Sequence, residues 1–121
     1  MHEMPYTQAI LEMAVKEAGG KPIRTIYLRI GALSAIVPAS MEYFFDVLKK
    51  GTDAEGAALV FEIAPITLTC RNCGREMELP YTPTMNPRQT LAAAYAKGCS
   101  CGQKDLKLTG GLSCDMTGIA V

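Results

Sequence analysis

The chain has 121 residues, the length of one domain or of one domain carrying a small metal-held lobe. Twelve Lys plus Arg balance twelve Asp plus Glu, and a net charge of zero argues against a nucleic-acid binder, which advertises a basic excess. Hydrophobic residues reach 49%, and no apolar run approaches the ~20 residues of a membrane helix. With no basic-then-apolar leader after Met1-His2-Glu3-Met4-Pro5, the expectation is a folded, soluble, cytoplasmic protein.

In chain order, Pro5 suits the first turn of a helix, where its missing N–H costs nothing. Ile10, Leu11, Ala14, Val15 and Ala18 then recur at three- and four-residue steps, with Gln8, Glu12 and Lys16 on the polar side. Gly19-Gly20 and Pro22 stop that helix. Residues 25–30 alternate, with Ile26, Leu28 and Ile30 on one face and Thr25, Tyr27 and Arg29 on the other, which predicts a strand with one buried face. A second helix is expected to begin around residues 38–40 and to bury Met41, Phe44, Phe45 and Leu48; Tyr43, Phe44 and Phe45 all read as core. Gly51 after Lys49-Lys50 ends it. Leu59, Phe61 and Ile63 form the next strand, stopped by Pro65, and Ile66, Leu68 and Cys70 continue in extended form. Pro80, Pro83 and Pro87 exclude regular structure over much of residues 79–88, with a turn or two of helix at 91–96. Residues 106–112 look like a hairpin around Gly110-Gly111, and residues 118–121 like a last strand rejoining the first sheet.

All five cysteines fall between Cys70 and Cys114. Without a secretory signal they read as metal ligands or thiols, not as a disulfide framework. Cys70-Arg71-Asn72-Cys73-Gly74 is a C-x-x-C-G knuckle, and Cys99-Ser100-Cys101-Gly102 is a shortened one. Such pairs aim two thiolates at one tetrahedral ion, and the glycine after the second Cys permits the tight turn. All-sulfur ligation suits a structural Zn(II) with no spare position. A thioredoxin-like redox pair would need a strand entering a long helix, which Cys73-Gly74 lacks. The spacing favours Cys70, Cys73, Cys99 and Cys101, with Cys114 as a possible substitute ligand for Cys99.

His2 is the only histidine. It is either an idle, solvated terminal residue or, with the free α-amine and its own amide nitrogen, part of a chelate suited to Ni(II) or Cu(II). A bulky second residue such as His2 discourages removal of Met1, and so leaves that amine in place.

Met1-His2-Glu3, two helices around one strand, Gly51-Thr52-Asp53-Ala54-Glu55-Gly56-Ala57, Cys70-Arg71-Asn72-Cys73 and a second knuckle before a terminal strand follow one another in an order that resembles the HypA/HybF family. The similarity covers essentially the whole chain. It implies an α+β fold: two helices packed on a small mixed sheet form a nickel-binding domain, residues 1–65 plus about 115–121. A rubredoxin- or zinc-ribbon-like zinc lobe, residues 66–114, is inserted before the last strand. It further implies transient Ni(II) binding by Met1 and His2, with Glu3 supplying its amide or orienting the site, and structural Zn(II) on Cys70, Cys73, Cys101 and Cys99. The family usually has C-x-x-C at the second knuckle, where this chain has C-x-C. The implied activity is delivery of nickel to the [NiFe]-hydrogenase large-subunit precursor together with a HypB-type GTPase; some members also support urease maturation.

The residues themselves show no nucleophile–base–acid set and no G-x-x-x-x-G-K-[ST] phosphate loop, so a carrier is expected, not an enzyme. Nucleic-acid binding is not expected either, because Glu76, Glu78 and Asp115 offset Arg71, Arg75 and Arg88. The competing reading is a zinc-ribbon protein-interaction module whose N-terminus is idle and which transfers no nickel.

Overall fold

The apolar stripe of the N-terminal segment becomes helix α1, Glu3–Ala18, in a computed structural model that describes residues 3–79 and 85–121. Ile10, Leu11, Ala14 and Ala18 are buried along one side, Val15 is half-buried, and Gln8, Glu12 and Lys16 are exposed. Thr7 is buried too, and its hydroxyl donates to the Glu3 carbonyl oxygen at 2.5 Å, so the polar group goes unpenalised. Strand β1, Thr25–Gly31, buries Ile26, Leu28 and Ile30 and exposes Tyr27 and Arg29, as its alternation requires.

Helix α2, Pro38–Leu48, opens with Pro38 in its first turn and packs against α1. Met41 and Phe45 are fully buried, and Phe44 and Leu48 half-buried. Tyr43 departs from expectation: it is 66% exposed, its ring edge-on to Phe44. Successive helical residues point about 100° apart, so three aromatics in a row cannot share one buried stripe.

The sheet β2-β1-β6 is mixed. Ala58 N donates to the Arg24 carbonyl and Ala32 N to the Ala64 carbonyl; the numbers rise together, so β1 and β2 (Ala58–Ala64) run parallel, linked through α2. On the other side, Arg24 N donates to the Ala120 carbonyl and the Thr117 hydroxyl to the Tyr27 carbonyl, so β6 (Cys114–Ala120) is antiparallel.

The Gly51–Ala57 segment between α2 and β2 proves to be structural. The Thr52 hydroxyl donates to the Lys49 carbonyl at 2.6 Å and accepts from Ala54 N at 3.1 Å, closing the helix end. Ile23 N donates to the Asp53 carbonyl, and Ala54 and Ala57 are buried. A larger side chain at either alanine would have to displace the core.

Two compact units result. One takes in the N-terminal segment through Arg29, Ala35–Glu62 and Cys114–Val121; the other comprises Ile30–Ser34 and Ile63–Ser113. The turn after β1 therefore goes with the second unit, because the N–H groups of Gly31, Ala32 and Leu33 donate to Ser113, Ala64 and Gly111.

The second unit is built on an antiparallel sheet ordered β4-β3-β5. In it β3 (Ile66–Cys70) pairs with β4 (Glu76–Leu79), Ile66 opposite Leu79 and Thr69 opposite Glu76. On its other edge β3 pairs with β5 (Leu106–Gly110), Cys70 opposite Leu106 and Leu68 opposite Leu108. Helix α3, Pro87–Lys97, is longer than the prolines suggested. Pro87 starts the helix instead of breaking it, and the Asn86 side chain caps it by accepting from Arg88 N and Gln89 N. The predicted hairpin at Gly110-Gly111 does not form: β5 pairs with β3, and the chain passes on through residues 111–113 to β6 in the other sheet.

Candidate metal centre

The metal centre begins with two turns that place sulfur. Where β3 ends, Cys70 N donates to the Arg75 carbonyl and the Cys70 carbonyl accepts from Gly74 N, both at 2.9 Å. Where the chain leaves α3, Cys99 N donates to the Gln103 carbonyl at 2.8 Å and the Cys99 carbonyl accepts from Gly102 N at 3.0 Å. These are one clamp in two lengths. The first closes over Cys70–Arg75, the second over one residue fewer, so a four-residue turn replaces a five-residue turn. Gly74 and Gly102 follow the second cysteine in each case with φ of 76° and 94°, a backbone state that favours glycine.

The clamps bring Cys70, Cys73, Cys99 and Cys101 together, their sulfurs all within 4.8 Å of one another. Cys70 Sγ lies 3.7 Å from Cys101 Sγ, and Cys73 Sγ 3.6 Å from Cys99 Sγ. A tetrahedral ion with metal–sulfur bonds of about 2.3 Å holds its sulfurs about 3.8 Å apart, so the four thiols fit a zinc site with little movement. Each knuckle gives one buried and one exposed sulfur. Cys70 and Cys99 belong to the apolar cluster with Leu68 and Leu106, against which Met77, Leu79, Leu91 and Ala94 pack. The metal site therefore continues the small hydrophobic core.

Four thiols this close cannot hold their protons alike. The Gln103 backbone N–H on its sulfur, with help from Cys99, Cys70 and Asn72, brings Cys101 down to about 6 against the cost of desolvation. At Cys73 the Arg75 backbone N–H pulls downward, but the proton shared with Cys99, desolvation, and the contacts with Cys70 and Cys101 push the thiol up to about 11. Metal uptake requires thiolates, so it must expel whatever protons remain. Zinc uptake by the metal-free protein at about pH 7.5 is expected to release fewer than four protons, since Cys101 is already ionised there. The count should rise by about one as the pH is lowered through 6. Indicator titration in weak buffer measures it; a flat count over that range contradicts this order of ionisation.

Cys114, the possible substitute ligand, is not among the four converging sulfurs. It is the half-buried first residue of β6, its thiol held above the ordinary range by burial and then by the charge of Asp115. Of the N-terminal residues, Met1 and His2 lie outside the described residues. Glu3 is half-buried at the start of α1, and its carboxylate oxygen accepts from Val37 N at 3.3 Å. Val37 is the N-cap of α2 and has no side-chain cap of its own, so Glu3 supplies the missing acceptor and a favourable negative charge at that helix end.

Sequence reading missed Asn72, Arg75 and Ser100. The Asn72 amide nitrogen approaches Cys101 Sγ at 3.8 Å, and Arg75 Nη1 donates to the Ser100 hydroxyl at 2.5 Å. The shortened second knuckle was the available signal, since a turn lacking one residue invites support from outside.

Among the described residues no helix is long and apolar enough to cross a membrane. A family model described as "Hydrogenase/urease nickel incorporation, metallochaperone, hypA" matches residues 1–121. A hydrogenase maturation factor HypA of Thermomicrobium roseum is 30% identical over 128 residues, covering 100% of this chain and 98% of the relative. One from Geobacter metallireducens is 42% identical over 76 residues, 63% of this chain and 69% of the relative. The solution structure of the Ni metallochaperone HypA from Helicobacter pylori superposes with a TM-score of 0.65 at 17% identity, covering 98% of this chain and 96% of that one, a likeness of fold. Four converging thiols on an α+β scaffold, together with a sequence match from the first residue to the last, place this chain in the HypA family of nickel metallochaperones for hydrogenase maturation.

Proposed function

We propose that this protein carries Ni(II) on its N-terminus and hands it to the [NiFe]-hydrogenase large-subunit precursor, acting in the cytoplasm as a carrier and not as a catalyst. The observation that carries this reading is the match of the nickel-incorporation family model over residues 1–121, which takes in Met1-His2-Glu3 itself. The ligands are the Met1 amine, the His2 amide nitrogen and the His2 imidazole, a nitrogen-rich set suited to Ni(II). Glu3 orients them. Its carboxylate is engaged with Val37 N and its carbonyl with the Thr7 hydroxyl, so the chain entering α1 is anchored immediately after His2. A HypB-type GTPase is the expected partner, since the chain has no phosphate loop of its own, and urease maturation factors are a second class of recipient. Structural Zn(II) is held by Cys70, Cys73, Cys99 and Cys101, with Cys114 outside the set.

The test is a nickel titration at about pH 7.5 of zinc-loaded protein with its native, untagged N-terminus, beside His2→Gln. One nickel per chain is expected in the native protein and none in the variant, with zinc unchanged in both. Equal binding in the two proteins, or none in either, would return the chain to a zinc-ribbon interaction module.

A further inference from the structure

The two knuckles are joined by more than their sulfurs. Arg75, one residue past the glycine of the first knuckle, donates through Nη1 to the hydroxyl of Ser100, the single residue between the paired cysteines of the second. Asn72, inside the first knuckle, donates to Cys101. Both contacts run from the complete turn to the shortened one. Within itself the short turn is held by the two backbone bonds of Cys99 and by the Gln103 backbone N–H on the Cys101 sulfur, and the bond to the Ser100 hydroxyl comes from Arg75, outside the turn.

Charge adds to this. Four thiolates around a divalent cation sum to a net charge of minus two, which a nearby cation stabilises. Arg71 is already paired: its Nε lies 3.3 Å from Asp105, and its N–H donates to the Asp105 carbonyl. Arg75 has no carboxylate partner among the described residues, and its Nη1 is held on the Ser100 hydroxyl.

We infer that Arg75 is a positioning residue for the metal centre: by bonding Ser100 it holds the C-x-C turn at ligating distance and slows loss of the ion. This rests on the zinc reading of the four cysteines. Partners that orient metal ligands characteristically account for 10- to 100-fold in metal affinity. Zinc-loaded full-length protein is mixed with excess chromogenic chelator, and release is followed for wild type, Arg75→Ala, Ser100→Ala and the double variant. Arg75→Ala and Ser100→Ala are each expected to release zinc about tenfold faster. The double variant should be little faster than Arg75→Ala alone, since both remove one bond.

Cobalt-substituted samples supply a second readout. Sulfur-to-cobalt charge-transfer bands should keep the intensity of four thiolates in every variant, because positioning is lost and no ligand is. Unchanged release in both single variants overturns the inference, as does fast release in Arg75→Ala with none in Ser100→Ala, which would leave charge acting alone. Loss of tetrathiolate bands in a variant also overturns it. Their absence from wild type would instead overturn the zinc reading itself.

Discussion

Cys70→Ser is expected to empty the zinc site and unfold the second unit while α1, α2 and their sheet stay folded. Cys70 ends β3, is 1% exposed, and sits in the apolar cluster with Leu68, Cys99 and Leu106. Among the described residues of the second unit, only Ile30 and Ile66 add buried hydrophobic side chains to that cluster, and α3 contributes none that is fully buried. So small a core is normally insufficient without a metal or a cross-link. Structural zinc contributes about 10–16 kcal/mol in comparable peptides, far more than the ~2 kcal/mol of one buried leucine. Serine supplies no thiolate and leaves a hydroxyl among apolar groups. Zinc content should fall from about one per chain to near zero. Amide exchange should lose its protection across β3, β4 and β5 and keep it in α1, whose buried face of Ile10, Leu11 and Ala14 owes nothing to sulfur. Intact protection in β3 without zinc would show that the lobe's packing suffices.

Nickel affinity is expected to fall about a hundredfold between roughly pH 7.5 and pH 6.0 through the amine and imidazole alone. A terminal amine has a reference value of about 7.7–8.0 and an imidazole about 6.5. Over that interval the neutral fraction of the amine drops about twentyfold and that of the imidazole about fourfold. Both must be neutral to ligate, so the direction is fixed: affinity is greatest above the two values and is lost as they gain protons. A deprotonated His2 amide adds one obligatory proton, worth about thirtyfold more over the same interval, because one pH unit is one factor of ten. The slope thus distinguishes an amine–imidazole pair from an amine–amide–imidazole chelate. Competition titrations at three pH values, with zinc content checked at each, measure it. A fall of less than tenfold would be incompatible with the terminal site.

Much of the first unit was legible because its elements carry clean periods. The three- and four-residue steps from Ile10 to Ala18 and the alternation from Ile26 to Ile30 each admit one burial pattern, and both are seen. Legibility failed where one residue type serves two purposes. By residue type Pro87 is a breaker, yet a proline right after an asparagine cap is a helix start. Gly110-Gly111 is chemically a good hairpin turn, but the partner of β5 is β3, some forty residues earlier, and no local signal announces that pairing. The four cysteines could be grouped from spacing, which favours Cys99 but leaves Cys114 open as its substitute. Only the fold shows that Cys99 stands at the end of α3 in a turn copying that of Cys70, and that Cys114 starts a strand of another sheet. The proposed terminal nickel ligands rest on residue chemistry and family membership, since Met1 and His2 lie outside the described residues.

The matching clamps of the two knuckles bear on how such chains diverge. Both ends of each turn are pinned by the main chain, at the first cysteine and just past the glycine, so a codon can be lost between the paired cysteines without moving either anchor. The shorter spacing of the second knuckle is accommodated by a four-residue turn where the first has a five-residue one. Search patterns written as two C-x-x-C pairs therefore pass over descendants of this kind. Patterns keyed to the Cys-Gly dipeptide that closes each turn, Cys73-Gly74 and Cys101-Gly102, retain them.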